Sequence, residues 1–273
     1  MTTQRSYRLG FIGAGKLAGS VIRGLVRAKF CPPKEIIASE PNEEARAVLR
    51  NEVGIDLTTE NSDAAEKADV ILIGVKPAMV LQVVRELTTK LERKCVISLA
   101  AGTRLKSMEQ TSNARFMRAL TNTPSAVCCA ATAIARGTRT TREDVDLARK
   151  IFGAIGVAVE VNEGQIDAVT ALAGSGPAFV YTVIEALAKG GAKMGLAHDV
   201  ALKLATQTVL GAAQLAGETN LSPEELREMV VTPGGTTAAG LVAMDKLQTT
   251  EGLIAAVEAA TKRGQEIAKE NSG

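Results

Sequence analysis

Aromatic side chains are scarce in this chain: they make up 3% of its 273 residues, and Trp is absent. Few rings are therefore available to stack bases. Positive charge is not in excess either, because 32 Lys+Arg face 30 Asp+Glu for a net charge of +2, so nothing draws the chain to phosphate backbones. No nucleic-acid partner is expected. One His and four Cys, at positions 31, 95, 128 and 129 without C-x-x-C spacing, leave no thiolate and imidazole set for a metal. The four Cys read as small buried hydrophobes of a reducing compartment, with the neighbours Cys128 and Cys129 open to redox chemistry. Long apolar runs are lacking too: the two longest uncharged stretches, 119–135 and 168–184, are interrupted by Pro, Asn, Thr or Gly and fall short of the roughly 20 residues of a membrane span. No membrane partner is expected. The polar stretch Met1–Leu9 does not read as a secretory signal, and a cytoplasmic location is the expectation.

What is present is a globular composition, 46% hydrophobic, arranged in two halves. Residues 1–162 alternate short β-branched runs with helical stretches, the pattern of a parallel sheet with crossover helices. Strands are expected at Arg8–Ile12, Ile36–Ser39, Val70–Val75, Cys95–Leu99, Phe116–Leu120, Ala131–Ala135 and Val157–Val161, with helices at Lys16–Ala28, Glu43–Glu52, Ala78–Leu87 and Arg142–Phe152. Residues 163–273 are Ala-rich helical text, read as helices at Pro177–Met194, Asp199–Ala216, Pro223–Val230, Thr237–Leu247 and Leu253–Lys269. The third starts on a capping box, Ser222 with Glu225, and has Pro223 in its first turn. Five helices in so short a segment have limited room to bury every apolar face, which points to a homodimer that completes the bundle. The fold class is α/β, a Rossmann-type domain followed by an all-α dimerisation domain.

Gly13-Ala14-Gly15-Lys16-Leu17-Ala18 matches G-x-G-x-x-[GA] where the first strand passes into the first helix. Gly13 suits the tight turn, Gly15 removes a Cβ that would block a pyrophosphate, and Ala18 lets helix and strand pack closely, while the helix start offers N–H groups to phosphates. A glycine turn that serves packing alone is the plainer alternative. About 20 residues further on, the text Ala38-Ser39-Glu40-Pro41-Asn42 with Arg46 gives a mixed signal: Glu40 suits the ribose of NAD, and Ser39 and Arg46 suit the 2′-phosphate of NADP. Val75-Lys76-Pro77 and Ala100-Ala101-Gly102 stand at the ends of two further strands, where an open parallel sheet binds ligands.

These segments, followed in order by Leu120-Thr121-Asn122-Thr123-Pro124, Ala173-Gly174-Ser175-Gly176-Pro177-Ala178 and Thr232-Pro233-Gly234-Gly235-Thr236-Thr237, resemble the pyrroline-5-carboxylate reductase family from Leu9 to about Glu266. The last three segments are specific to that family. The resemblance implies NAD(P)H-dependent reduction of 1-pyrroline-5-carboxylate to L-proline, with NADPH as cofactor and NADH as the alternative. It implies a homodimer assembled into a decamer or a smaller set of dimers. It places cofactor contacts at Gly13, Ala14, Gly15, Lys16, Leu17, Ser39, Asn61, Val75, Lys76, Pro77, Ala100, Ala101 and Gly102. Substrate contacts fall at Glu163, Ser175, Gly176, Gly234, Gly235, Thr236 and Thr237. The chain departs from the pattern at Ala173, Met229 and Val231.

The residues agree with such chemistry. Reduction of a cyclic imine needs a hydride, which a nicotinamide carries, and a protonated C=N, so the protein chiefly orients and polarises. The only His, His198, sits at a helix start and reads as exposed. The Thr232–Thr237 loop precedes a helix, so its N–H groups suit a carboxylate and the Thr237 hydroxyl is the candidate for a hydrogen bond to the ring nitrogen. Taken alone, Pro233-Gly234-Gly235 would be an interhelix turn, and Ser175-Gly176-Pro177 an N-cap with a first-turn Pro. Two rivals are a different Rossmann imine or hydroxy-acid reductase, for which Lys189 or Lys193 would serve as proton donor, and a nonenzymatic dinucleotide sensor.

Overall fold

The structure is a computed structural model that describes residues 7–270; the first six residues of the polar amino-terminal stretch lie outside them. In chain order the first part runs β1 (Tyr7–Ile12), α1 (Lys16–Arg27), β2 (Ile36–Ser39), α2 (Glu43–Val53), β3 (Asp56–Thr58), α3 (Asn61–Lys67), β4 (Ala68–Ile73), α4 (Val80–Glu86), α5 (Thr88–Leu91), β5 (Cys95–Ser98), α6 (Leu105–Thr111), β6 (Arg115–Leu120), β7 (Ala130–Arg136), α7 (Arg142–Gly153) and β8 (Gly156–Glu160). The remainder is helical: α8 (Ile166–Val169), a π turn at Thr170–Gly174, α9 (Gly176–Lys193), α10 (His198–Glu218), α11 (Pro223–Glu228), α12 (Thr236–Lys246) and α13 (Thr249–Glu270). Two compact units result, residues 7–175 with 258–270, and Gly176–Val257. The glutamate-to-serine stretch 163–175 thus belongs to the sheet-bearing unit.

The first unit holds one eight-stranded sheet in the order β3-β2-β1-β4-β5-β6-β7-β8. All neighbours are parallel except β6 and β7, which pair antiparallel through Met117↔Arg136 and Leu120↔Ala133. The expected all-parallel reading fails there because a short 3₁₀ turn, Thr123–Val127, reverses the chain in place of a crossover helix. Strands buried on both faces read as continuous apolar runs, as in β4, where Ile71, Leu72 and Ile73 are fully buried. Helix α1 presents Ala18, Val21, Ile22 and Leu25 to one face at helical spacing, and Leu9, Phe11 and Phe152 join them there. The other face collects Ile71, Val84, Val96 and Phe116. Full burial of each such side chain is worth about 1.5–3 kcal/mol.

Local signals start the helices. Asn42 accepts from the N–H of Ala45 at 2.8 Å to begin α2, and the Ser222–Glu225 capping box forms as expected, with Ser222 N–H donating to Glu225 Oε2 at 2.7 Å. A second capping box, Thr141 with Asp144, begins α7, and the buried Asp144 also takes Arg115 Nε at 2.6 Å and Nη2 at 2.9 Å. Burial acts to raise the Asp144 carboxyl, but the Arg115 guanidinium and the Thr141 N–H outweigh it and hold its pKa below the ordinary value.

Two cysteine expectations hold and two do not. Cys31 and Cys95 are buried, and burial pushes the Cys95 thiol up to about 12. Cys129 is exposed and Cys128 half-buried, because they leave the 3₁₀ turn on a left-handed residue, Cys128 at φ 61°, and so cannot follow a strand into the core.

The second unit is assembled from helices alone. Its buried residues are Ala188, Ala201 and Ala205, where α9 and α10 meet beside Ile184. Leu187, Leu204, Leu210, Val242 and Met244 are at least half exposed or close to it. The helical run Glu163–Lys193, 31 residues with a mean hydropathy of 1.3, is by length and composition alone sufficient to cross a membrane.

Candidate active site

Strand order runs outward in opposite directions from the β1–β4 pair, so the ends of these two strands open a crevice between diverging connections. The glycine turn sits at this crevice. Gly13 adopts φ 87°, a conformation that side chains rarely allow, and its N–H is bonded to Ser39 O and Ser39 Oγ, both at 3.1 Å. Gly15 starts α1, and a Cβ added to it would meet nothing within 4 Å, so its α-carbon faces open space. The N–H groups of Lys16, Leu17 and Ala18 begin the helix without intrahelical acceptors. Ala18 packs as expected, with Gly74 as its counterpart: a Cβ on Gly74 would stand 2.6 Å from that of Ala18. The sequence signal for Gly74 was its place at the end of β4.

A cleft of about 530 Å³ opens in front of this turn. Gly15, Lys16 and Leu17 line it, together with Gly74 to Pro77 after β4, Leu99 to Ala101 after β5, and Leu120 to Thr123 after β6. Eight of the expected cofactor contacts, Gly15, Lys16, Leu17, Val75, Lys76, Pro77, Ala100 and Ala101, therefore share one cleft. Gly13, Ala14, Ser39, Asn61 and Gly102 stand outside its lining. Ser39 is fully buried behind the turn and lies 2.7 Å from Asn61 Oδ1, Ala14 N–H donates to Glu40 Oε2 at 3.3 Å, and Gly102 at φ 76° turns the chain toward α6.

Thr170, Gly174 and Ser175 supply the remaining wall. They come from the π turn, closed by Ser175 N–H on Thr170 O at 2.8 Å. Single π turns of this kind concentrate at functional sites, and no sequence pattern announced this one. Ser175 has helical φ −85° and ψ −26°, so it continues a helix and is not the N-cap of α9. Asn122 ties the turn to the sheet: its Nδ2 donates to Ala173 O and its Oδ1 accepts from Ala131 N–H, each at 3.1 Å.

Glu163 is placed elsewhere. It lines two other depressions with Arg136, and its Oε1 accepts from Leu105 N–H at 2.6 Å and from Arg118 Nη1 at 3.3 Å. Arg118, in the middle of β6, is 1% exposed, and its Nε and Nη2 have no partner among the described residues. Burial pulls its pKa below the usual arginine value, and Glu163 opposes that shift. One helical turn on, Arg104 Nη2 meets the buried Asp167 at 3.0 Å. These two ion pairs fix the segment that leads into the π turn.

In the second unit the Thr232–Thr237 loop bends at Gly234, φ 72°. Gly235 is the N-cap of α12, and a Cβ there would collide with the Thr232 hydroxyl. Thr236 and Thr237 form the first turn of that helix, with Thr237 half-buried and its hydroxyl without a hydrogen-bond partner among the described residues. Gly176 opens α9, and His198 is exposed at the start of α10. Lys189 is paired with Glu185 at 2.7 Å on the surface.

Comparison with known proteins finds matches to two family descriptions. Residues 8–102 match a family described as NADP oxidoreductase, coenzyme F420-dependent, and residues 163–267 match one described as pyrroline-5-carboxylate reductase dimerisation. A pyrroline-5-carboxylate reductase of Glycine max is 42% identical over 264 residues, covering 96% of each chain. The structure of a pyrroline-5-carboxylate reductase from Coxiella burnetii superposes with a TM-score of 0.87 at 33% identity, over 96% of this chain and 99% of that one. A pyrroline carboxylate reductase from Plasmodium falciparum with NADP bound gives the same TM-score at 25% identity, over 97% and 99%.

Proposed function

The chain belongs to the pyrroline-5-carboxylate reductase family and is an NAD(P)H-dependent oxidoreductase of proline biosynthesis, and from that premise we propose how its residues divide the work. The observation that carries the assignment is the convergence of the glycine turn with the ends of β4, β5 and β6 on one cleft at the switch point. That cleft fits a dinucleotide, since the open α-carbon of Gly15 leaves room beside the unpaired first-turn N–H groups of α1 for a pyrophosphate. When bound, the nicotinamide supplies the hydride. Val75, Lys76 and Pro77 form one wall and Ala100 and Ala101, with small side chains, another that lets backbone approach a ribose closely.

The second unit takes the substrate. N–H groups at Thr236 and Thr237, in the first turn of α12, hold the carboxylate, with Gly234 free of a side chain that would obstruct it. The Thr237 hydroxyl, without a hydrogen-bond partner among the described residues, accepts from the protonated ring nitrogen and keeps it oriented as its charge changes. No acid residue is required when the imine binds already protonated. Glu163, held by Leu105 and Arg118, anchors the π turn in this scheme and leaves substrate contact to the other residues. The exposed apolar helices of the second unit pair in a homodimer, dimers gather into an assembly of up to five, and the protein works in the cytoplasm.

Oxidation of NADPH or NADH with pyrroline-5-carboxylate, beside a panel of hydroxy acids, tests the reaction; binding without turnover on any of them would favour a sensor. Thr237→Ala tests the residue. We expect kcat/KM to fall roughly tenfold for each 1.4 kcal/mol of interaction lost, with near-normal cofactor affinity and little change in Tm. Unchanged turnover beside a lowered Tm would reassign Thr237 to helix stability.

A further inference from the structure

We infer that Glu40 makes this protein select a dinucleotide whose adenosine ribose carries a free 2′-hydroxyl over one that carries a 2′-phosphate. The inference deepens the reading of the cleft as a dinucleotide site and rests on it. It runs against the NADPH expected from the family resemblance.

Glu40 is the first residue after β2, the strand beside β1, so it stands next to the glycine turn. Both of its carboxylate oxygens are engaged by the backbone there: Oε2 accepts from the N–H of Ala14, between the two glycines, at 3.3 Å, and Oε1 from the N–H of Asn42 at 3.1 Å. Its own N–H donates to Thr58 O at 3.0 Å, which ties the residue to the end of β3. The carboxylate is therefore held in place before any ligand arrives. Each of its oxygens keeps a lone pair for a hydroxyl donor, and neither can donate to a phosphate. A 2′-phosphate brought to this point would meet like charge and would compete for the Ala14 N–H.

The two groups that the sequence offered to a 2′-phosphate have other tasks. Ser39 is fully buried; its Oγ accepts from Gly13 N–H at 3.1 Å and lies 2.7 Å from Asn61 Oδ1, an acceptor, so its proton points there. Arg46 turns Nη1 onto the carbonyl oxygens of Glu40 at 2.6 Å and Pro41 at 2.8 Å, bracing the loop that carries the carboxylate. One basic side chain thus serves the position of the acid.

Titration of the full chain with NADH and with NADPH, followed by nicotinamide fluorescence, tests this without turnover; adenosine 2′,5′-bisphosphate and ADP serve as probes of the adenosine end alone. The wild type should bind NADH more tightly than NADPH by roughly tenfold, as for other like-charge contacts at a binding surface. Glu40→Ser should move the ratio at least that far toward NADPH, and the same order should hold for the two adenosine probes. Glu40→Gln, which keeps the size and removes the charge, should relieve the penalty on NADPH while NADH affinity falls less. Arg46→Leu should weaken both nucleotides alike. NADPH bound as tightly as NADH by the wild type, a ratio unmoved in Glu40→Ser, or a loss confined to NADPH in Arg46→Leu would overturn the inference and leave the site intact. Binding of neither nucleotide would overturn the site reading and the inference with it.

Discussion

The two units bury apolar surface in opposite ways. In the first, each face of the sheet is covered by the chain itself, and residues as large as Phe11, Phe116 and Phe152 are sealed completely. In the second, three alanines are buried while Leu204, Leu210 and Val242 remain 53–69% exposed, at 55%, 53% and 69%. Hydrophobic burial is what offsets the loss of chain entropy on folding, so a unit that leaves its large side chains in water draws its stability from a further surface. Patches of this extent mark an interaction face. The contrast teaches that the sheet-bearing unit covers its own large apolar side chains, whereas the helical unit leaves a face still to be covered.

Truncation of one core residue should break the contrast most sharply. Phe116→Ala should cost about 3–5 kcal/mol in urea unfolding and should not depend on protein concentration. Leu204→Glu should cost about 2–5 kcal/mol of association by placing a charge in a desolvated contact, while leaving the subunit's own fold intact. Sedimentation should then show dissociation at micromolar concentration; an unchanged oligomer would show that α10 faces water after all.

An intermediate effect is expected from Asp144→Asn, which removes the partner of Arg115 from inside the first unit. Arg115 is 31% exposed, so the loss lies between those of surface and buried pairs, about 2 kcal/mol at neutral pH. Because the folded carboxyl titrates below its unfolded value, its contribution is complete above about pH 4 and fades as pH falls through the folded value. Unfolding curves of wild type and variant should therefore converge as the pH falls through the folded value. A gap that persists undiminished in acid would assign the loss to packing.

The mildest change tests function alone. Gly15→Val places a branched side chain in open space, so the fold and the helical assembly should tolerate it, while NAD(P)H affinity should drop about tenfold, the equivalent of 1.4 kcal/mol. Full affinity in the folded variant would move the pyrophosphate away from this turn.

Much of this was readable from the chain because the signals were local. The strand–glycine–helix run, the Ser222 capping box and the ends of β4 and β5 each occupy a few consecutive residues and landed where they were placed. What escaped depends on distant contacts. Strand β3 is three half-buried residues at a sheet edge, too short to show alternation, and α3 and α6 are seven residues each. The antiparallel turn at Thr123–Val127 carries no length cue that separates it from a crossover. Glu163 could be named as a functional carboxylate, but Arg118 and Leu105, which hold it, lie 45 and 58 residues away. The π turn lacks any compositional mark, so Thr170 entered the cleft unannounced.

The buried guanidinium of Arg118 also bears on how this protein could exchange parts with its relatives. By sequence the obvious joint lies at residue 162, where the α/β text ends. A hybrid cut there would bring β6 from one parent and Glu163 from the other, and any parent without a carboxylate at that place would leave a cation sealed in the sheet with nothing opposite it. Moving the joint to follow Ser175 keeps Arg118 with Glu163 and Arg104 with Asp167 in a single inheritance, provided that residues 258–270 travel with them. The ion pairs thus mark which stretches of the chain have to change together.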